Sequence, residues 1–127
     1  MSREDLCIIM KKAQELWPEE KDFRIKLDTN DYDGGDSLDV AIDMRLDMVT
    51  LADIIEFAKF VGKEPSEVEI STTEVEEFKN IYGVPNVMTM TFCFDYDKPS
   101  KWNVHEHYYG VMFNTKYDQE RYGSKDC

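Results

Sequence analysis

The chain has 127 residues, 42% of them hydrophobic and 13% aromatic, which excludes a disordered segment and is enough for one domain with its own core. Its formal net charge of −12 argues against direct binding to nucleic acids or to anionic membranes. The sequence contains no run of about 18 apolar residues, and residues 1–12 lack the basic start and apolar stretch of a signal peptide. We therefore expect a cytoplasmic protein.

The N-terminal part of the chain predicts a helix and a strand. Apolar residues recur at helical spacing through residues 2–17, where Ser2 can cap the first turn and Pro18 can end the helix. Residues 23–27 then alternate apolar and polar side chains, which is typical of a half-buried strand. A loop rich in turn-forming residues, 29–37, follows.

The strongest strand pattern of the sequence covers residues 38–48. Leucine, valine, isoleucine and methionine occupy every second position, and three aspartates, Asp39, Asp43 and Asp47, lie between them. Strict alternation predicts that the apolar set faces the core and that the aspartates face water, at intervals of about 13 Å.

Helical spacing returns over residues 50–61. Thr50 can cap this helix together with Asp53, and Gly62 occupies the position where a C-terminal glycine is favoured. Leu51 belongs to the predicted apolar stripe.

The remaining elements are a short strand around Val68 and Ile70, a short helix that opens at Thr73, and two long strands. We expect the strands at 86–96 and 102–113 to form a β-hairpin, and residues 115–127 to be a frayed tail. The order α-β-β-α-β-α-β-β predicts a single α+β domain, with an antiparallel sheet of about five strands and about three helices packed on one face.

The negative charge is concentrated in the middle of the chain. Residues 28–77 contain 15 acidic residues and three basic ones, so that this stretch alone carries a charge of −12. The rest of the chain contains 12 acidic and 12 basic residues, which cancel. A surface of one sign favours a partner of the opposite sign, such as a protein that binds nucleic acids through a Lys/Arg-lined groove.

These acids define the main functional hypothesis, a surface that imitates a nucleic-acid backbone. Tyr32, at the tip of the loop, is a candidate aromatic anchor. The candidate partner-binding residues are Asp28, Asp31, Tyr32, Asp33, Asp36, Asp39, Asp43, Asp47, Glu67 and Glu69. The plainer alternative is a solvated surface whose acids are paired within the sheet, where Arg24 and Lys26 can lie across from Asp39 and Asp43.

The sequence contains two candidate metal sites. The acidic loop resembles a calcium loop in composition, but with Gly34 at the sixth position the twelfth is Val40 rather than glutamate, so the EF-hand pattern fails. His105 and His107 would point to one face of a strand about 6.6 Å apart. There they could share a zinc or iron ion with Asp95 or Asp97 from the neighbouring strand. A bare H-x-H pattern is more often an ordinary surface feature, and no cofactor is expected.

The sequence contains no catalytic motif of a known kind, neither a nucleophile elbow nor a phosphate-binding glycine loop, so a non-enzymatic protein is expected. Its three cysteines, Cys7, Cys93 and Cys127, have no CxxC spacing and are typical of free thiols in a reducing cytosol. Cys93 lies among apolar and threonine residues, which favours a small buried hydrophobe over a nucleophile.

The C-terminal part is rich in aromatic residues, nine of which fall in 92–127. Phe92 and Phe94 are expected in the core, and an exposed remainder such as Trp102 favours protein–protein contacts. This pattern supports a third possibility, a structural or adaptor subunit.

In size and charge the chain is similar to two types of small acidic protein. One comprises phage inhibitors of host defence, including anti-CRISPR and anti-restriction proteins, and the other comprises immunity proteins and antitoxins that neutralise nucleases. The similarity does not extend to any motif, so no residue role carries over. We therefore expect an inhibitor in the cytoplasm of a bacterial or phage-infected host cell. A metal-binding protein that uses His105 and His107 is the first alternative.

Overall fold

The structure, a computed structural model, describes residues 1–18, 24–29, 37–45, 49–74, 86–105 and 111–113. A 3-10 turn over Pro65–Glu67 precedes the third strand. The helices are α1 (Arg3–Leu16) and α2 (Leu51–Val61), and the strands are β1 (Arg24–Thr29), β2 (Ser37–Arg45), β3 (Glu69–Glu74), β4 (Asn86–Asp95) and β5 (Val111–Phe113). The prediction of a mixed α+β protein with an antiparallel sheet is confirmed.

Both helices begin where their capping residues predict. The hydroxyl of Ser2 accepts a 3.2 Å hydrogen bond from the N–H of Asp5, and that of Thr50 accepts a 3.3 Å bond from the N–H of Asp53. Gly62 ends α2 with a φ of 92°, a left-handed conformation that glycine adopts without strain. The local sequence therefore fixes the ends of α2 and the start of α1.

The strands form one antiparallel sheet in the order β3-β4-β2-β1-β5. β2 lies at its centre and pairs with β4 along its whole length, from Ser37 opposite Asp95 to Arg45 opposite Val87. β1 pairs with β2 through the expected hairpin, and β3 forms one edge of the sheet. The two edges are thus formed by the strands at 69–74 and 111–113.

The core lies between one face of the sheet and the two helices. Val40 of β2 is opposite Phe92 of β4, and both side chains are fully buried. Phe57 of α2 packs edge-to-face on Phe92 with ring centroids 5.6 Å apart, and Trp17, directly after α1, packs on Phe57 at 5.5 Å. These aromatic contacts join both helices to the central strands.

The other face of the sheet is also buried near the end of β2 and the start of β4. Asp43 and Val87 alternate with core residues and therefore lie on the face away from the helices, yet they are only 3% and 1% exposed. The expectation that the aspartates of β2 all face water is therefore wrong for Asp43. Alternation identifies the face of a residue but not what covers that face.

The start of the predicted third helix is wrong. Thr73 and Glu74 continue β3, in register with Val87 and Asn86 of β4. The β-branched pair Thr72–Thr73 favours this extended conformation. The rest of that predicted helix lies in 75–85, outside the described residues. The predicted tail at 115–127 lies outside them too.

The predicted hairpin of 86–96 with 102–113 is also wrong. Residues 96–105 form turns and irregular structure, and the strand at 111–113 pairs with β1, at the far side of the sheet from β4. Trp102 and Val104 are both buried, which produces the alternating pattern in the sequence without a strand.

The cysteines depart from the expectation of three free thiols. Cys7 is disulfide-bonded, and Cys93 is free and exposed rather than a buried hydrophobe. Cys127 lies outside the described residues. The cysteines therefore no longer favour a reducing compartment. No helix within the described part of the chain has the length and apolar character needed to cross a membrane.

Candidate acidic surface

One end of the sheet gathers acidic positions from three strands. β1 ends there, β2 begins there and β4 ends there, because Thr29 is opposite Leu38 and Ser37 is opposite Asp95. β3 begins farther along the sheet, since Glu69 is opposite Thr91, four residues before Asp95. We call the acidic residues at this end, in the turn after β4 and in the segment that leads into β3 the acidic end: Asp28, Asp39, Glu64, Glu67, Glu69, Asp95 and Asp97. Antiparallel pairing thus brings together acids that are far apart in the sequence.

Two of these aspartates are direct register partners. Asp28 of β1 lies opposite Asp39 of β2. Of the two bases expected to lie across from Asp39 and Asp43, Arg24 is opposite Asp43, and Lys26 is opposite Ala41, between the two aspartates.

Asp39 also contacts the strand on its other side. It lies opposite Cys93 of β4, is half-buried and is hydrogen-bonded to the Cys93 thiol. Partial burial of the thiol is the main cause that raises the pKa of Cys93, and the hydrogen bond with Asp39 adds to it. A bond with Ser37 and the charge of Lys63 act in the opposite direction. The thiol is therefore held in its protonated form.

The exposed part of the acidic end runs along the edge of the sheet. Glu64, Glu67 and Glu69 are all exposed, and they form no ion pair with any residue that the structure describes. Glu67 has a structural role too, since its carboxylate accepts the N–H of Glu64 at 3.0 Å and caps the 3-10 turn. The two ion pairs that link described glutamates to Lys12 lie elsewhere, at Glu15 and Glu56 on the helices.

Three described lysines adjoin the acidic end. Lys63 lies over the ring of Phe94 at 4.7 Å, and Lys101 lies over Trp102 at 4.7 Å. Lys101 also donates to the carbonyl of Phe60 near the end of α2, where a cation is favoured by the helix dipole. Lys98 is exposed in the turn after β4.

The other predicted partner-binding residues are not part of a described exposed surface. Asp43 is buried and accepts a 2.6 Å hydrogen bond from Thr89, so it is not available to a partner. Five predicted residues lie outside the described part of the chain: Asp31, Tyr32, Asp33, Asp36 and Asp47. The first four lie in the sequence between the end of β1 and the start of β2, and both of these strand ends are at the acidic end.

The geometry expected for a metal site at the histidines is not found. His105 lies in a turn, exposed, with its ring 5.2 Å from that of Tyr96, and not in a strand opposite Asp95 or Asp97. His107 lies outside the described residues. Among the residues that the structure describes, no group of three or more potential metal ligands is present.

Trp102 is a structural residue rather than an exposed contact. Its side chain is buried, its ring nitrogen donates a 2.8 Å hydrogen bond to the carbonyl of Val61, and its ring lies 6.1 Å from that of Phe60. It thus packs against the C-terminal end of α2. Phe92 and Phe94 are buried in the core as predicted.

Sequence reasoning missed how the acids are arranged. It grouped Asp39, Asp43 and Asp47 by their spacing along one strand, whereas the structure places Asp39 in register with Asp28, at the end of the sheet where Asp95 ends β4. Asp95 and Asp97 were considered only as metal ligands. Which acids share one end of the sheet depends on the direction of each strand and on the order of the strands in the sheet. The sequence did not reveal that order.

No family model, curated protein or solved structure matches this chain. The acidic surface itself is therefore the basis for the functional conclusion.

Proposed function

We propose that this protein is a non-enzymatic inhibitor that binds the basic nucleic-acid-binding surface of a nuclease or defence protein. The observation that carries the proposal is the convergence of acidic positions of β1, β2 and β4 at one end of the sheet, together with the exposed Glu64, Glu67 and Glu69. A groove that gains affinity by neutralising phosphates can gain it from carboxylates in the same way. Such a partner places the protein in the cytoplasm of a bacterial or phage-infected cell.

One further feature supports a binding role over a merely solubilising one. The exposed glutamates have no ion-pair partner among the described residues, so their charge is directed outward and attracts a basic surface at long range.

The test is capture of partners from a bacterial lysate by the tagged protein at about 0.05 M and about 0.5 M salt, since screening is strong at the higher concentration. We expect nucleic-acid-binding proteins, identified by mass spectrometry, that are retained at low salt, reduced at high salt and displaced by added DNA. A captured nuclease should lose activity in the complex. If neither the salt concentration nor added DNA changed the capture of partners, the proposal would be contradicted.

Two double charge-reversal variants test which surface of the protein binds the partner. Asp97→Lys with Glu69→Lys should abolish capture, whereas Glu4→Lys with Glu15→Lys should leave it nearly unchanged. Both double variants change the net charge equally and replace exposed side chains. Glu64 and Glu67 are kept because their carboxylates form the capping box of the 3-10 turn. Equal losses in both variants would show that net charge matters and the acidic end does not.

A further inference from the structure

A cavity of about 230 Å³ lies where the end of α2 meets the segment that follows β4. Its wall is formed by residues 61–63, by Phe94 of β4 and by residues 99–101. Two of these lining residues are lysines and none is acidic, although the chain as a whole has a formal net charge of −12. The charge of this lining favours an anionic ligand over a cationic one.

The two lysines of the cavity wall have ammonium groups that are held by contacts within the protein. Nζ of Lys63 lies 4.7 Å from the ring centroid of Phe94, which also lines the cavity. Nζ of Lys101 lies 4.7 Å from the ring centroid of Trp102 and donates a hydrogen bond to the carbonyl of Phe60. Neither lysine forms an ion pair with a carboxylate of the described residues. Each ammonium group has three N–H donors, so both can still donate to an anion, and their ordered positions reduce the entropy lost on binding.

The rest of the cavity wall is mostly apolar. Val61 and Phe94 are buried apolar residues, and Pro99 adds a third apolar side chain. Ser100 supplies a hydroxyl whose oxygen accepts the N–H of Trp102 at 3.2 Å, which leaves the hydroxyl proton for another acceptor. An organic anion can therefore use both the polar and the apolar parts of this wall, whereas an inorganic anion uses the polar part alone.

The size of the cavity and the charges around it narrow the class of ligand. Pockets for drug-sized molecules have volumes of about 300–1,000 Å³, so this cavity suits a smaller molecule. It adjoins the C-terminal end of α2, where the helix dipole is negative. Glu64 follows Lys63 directly, and Asp97 lies two residues before Pro99. These negative groups disfavour a dianion such as phosphate more strongly than a singly charged carboxylate.

We propose that this cavity binds a small organic monocarboxylate, whose carboxylate pairs with Lys63 and Lys101 and whose apolar body packs against Phe94 and Val61. None of the residues of the acidic end lines the cavity, so this binding site does not depend on the proposed function. A Kd of about 1 mM is expected for an acid of the size of benzoate, because a ligand with so few atoms makes few contacts.

The probe is sodium benzoate, added to the whole protein at constant pH and ionic strength, and binding is followed in amide proton–nitrogen correlation spectra. We expect saturable shifts of the amide signals of residues 61–63, Phe94, Ser100 and Lys101. Two control compounds isolate the two parts of the ligand. Benzamide keeps the ring without the charge, and inorganic phosphate keeps a charge without the ring. Each should bind at least about fivefold more weakly than benzoate, because it loses either the charge-assisted hydrogen bonds or the apolar contacts.

Matched lysine variants separate a specific site from general attraction between ions. Lys63→Gln and Lys101→Gln should each weaken benzoate binding at least about fivefold, because each removes a charged donor from the cavity wall. Lys59→Gln is the control, since Lys59 is an exposed residue of α2 that does not line the cavity, and it should leave the Kd within about twofold. All three variants remove one positive charge, so a difference between them reports the position of that charge.

Each outcome of these titrations either supports or overturns the proposal. Saturable benzoate binding that both cavity variants weaken and that Lys59→Gln keeps supports it. Equal weakening in all three variants would overturn it in favour of general ionic attraction. Binding of benzamide or phosphate as tight as that of benzoate would overturn the assignment of an organic carboxylate. Absence of saturable shifts up to about twenty times the expected Kd would overturn the site itself.

Discussion

The hydroxyl of Thr89 on β4 donates a 2.6 Å hydrogen bond to the carboxylate of Asp43 on β2, and the two residues are register partners. Asp43 is 3% exposed, so this bond satisfies an acid that has been removed from water. A buried carboxylate without hydrogen bonds would be costly. The pair therefore has a structural role, in contrast to the acids of the acidic end.

Thr89→Val should destabilise the protein by about 1–3 kcal/mol, because it removes a donor to a buried carboxylate and keeps the shape of the side chain. The control is Thr91→Val, two residues along the same face and opposite Ala41, which should change stability by less than about 0.5 kcal/mol. Urea denaturation followed by circular dichroism measures both. If both variants lost the same free energy of unfolding, the hydrogen bond to Asp43 would not be the cause of the loss.

Trp102→Phe should destabilise the protein by about 1–3 kcal/mol, since the carbonyl of Val61 loses its buried donor at the end of α2. Lys101→Gln, which removes an exposed cation from the same helix end, should cost less than about 1 kcal/mol. Thermal unfolding compares the two variants. A larger loss for the lysine variant would contradict the view that Trp102 anchors this segment to α2.

Gly62→Ala should cost about 1 kcal/mol, and the reason is conformational rather than steric. Gly62 has a φ of 92°, yet a Cβ added there would meet no atom within 4 Å. Gly62→Asn should cost less, because asparagine tolerates the left-handed region better than alanine. Chemical denaturation of the unchanged protein and of the two variants measures the free energy of unfolding of each. If alanine and asparagine were equally harmful, backbone strain would not be the cause.

The thiol of Cys93 should react slowly at neutral pH, because partial burial and the bond with Asp39 raise its pKa. The midpoint of its alkylation rate against pH should lie above that of an unstructured cysteine peptide, which titrates near about 8.5. Peptide mass spectrometry after iodoacetamide treatment measures Cys93 alone.

Asp39→Ala should shift this alkylation profile to lower pH, since it removes both the hydrogen bond and a nearby negative charge. Asp97→Asn, in the turn after β4, serves as the control and should leave the profile in place. A shift in the opposite direction for Asp39→Ala would show that the carboxylate does not stabilise the protonated thiol.

Local patterns predicted the elements whose residues interact mainly with their chain neighbours. The caps Ser2 and Thr50 and the end at Gly62 depend on groups within one helical turn, so the sequence specifies them directly. The strict alternation of 38–48 likewise predicted β2 and its buried face, although Leu51, assigned to the stripe of α2, is 72% exposed.

Features that depend on distant pairings were not accessible in the same way. Trp102 and Val104 are buried at alternate positions, as in a strand, although Trp102 packs on the end of α2 and neither residue is in a strand. Nothing in residues 86–105 indicates that β2 rather than β5 is the neighbour of β4. The acidic end follows from this strand order, so the sequence predicted an acidic surface but not which acids compose it.

The pairing of β5 with β1 has a consequence for synthesis of the chain. Arg24 is in register with Phe113, so this side of β1 has no β5 to pair with until the ribosome has added the residues up to 113. A chain that ends before β5 therefore leaves exposed the side of β1 that β5 covers in the longer chain. Release of incomplete chains should accordingly favour aggregation through β1, which the last strand normally prevents.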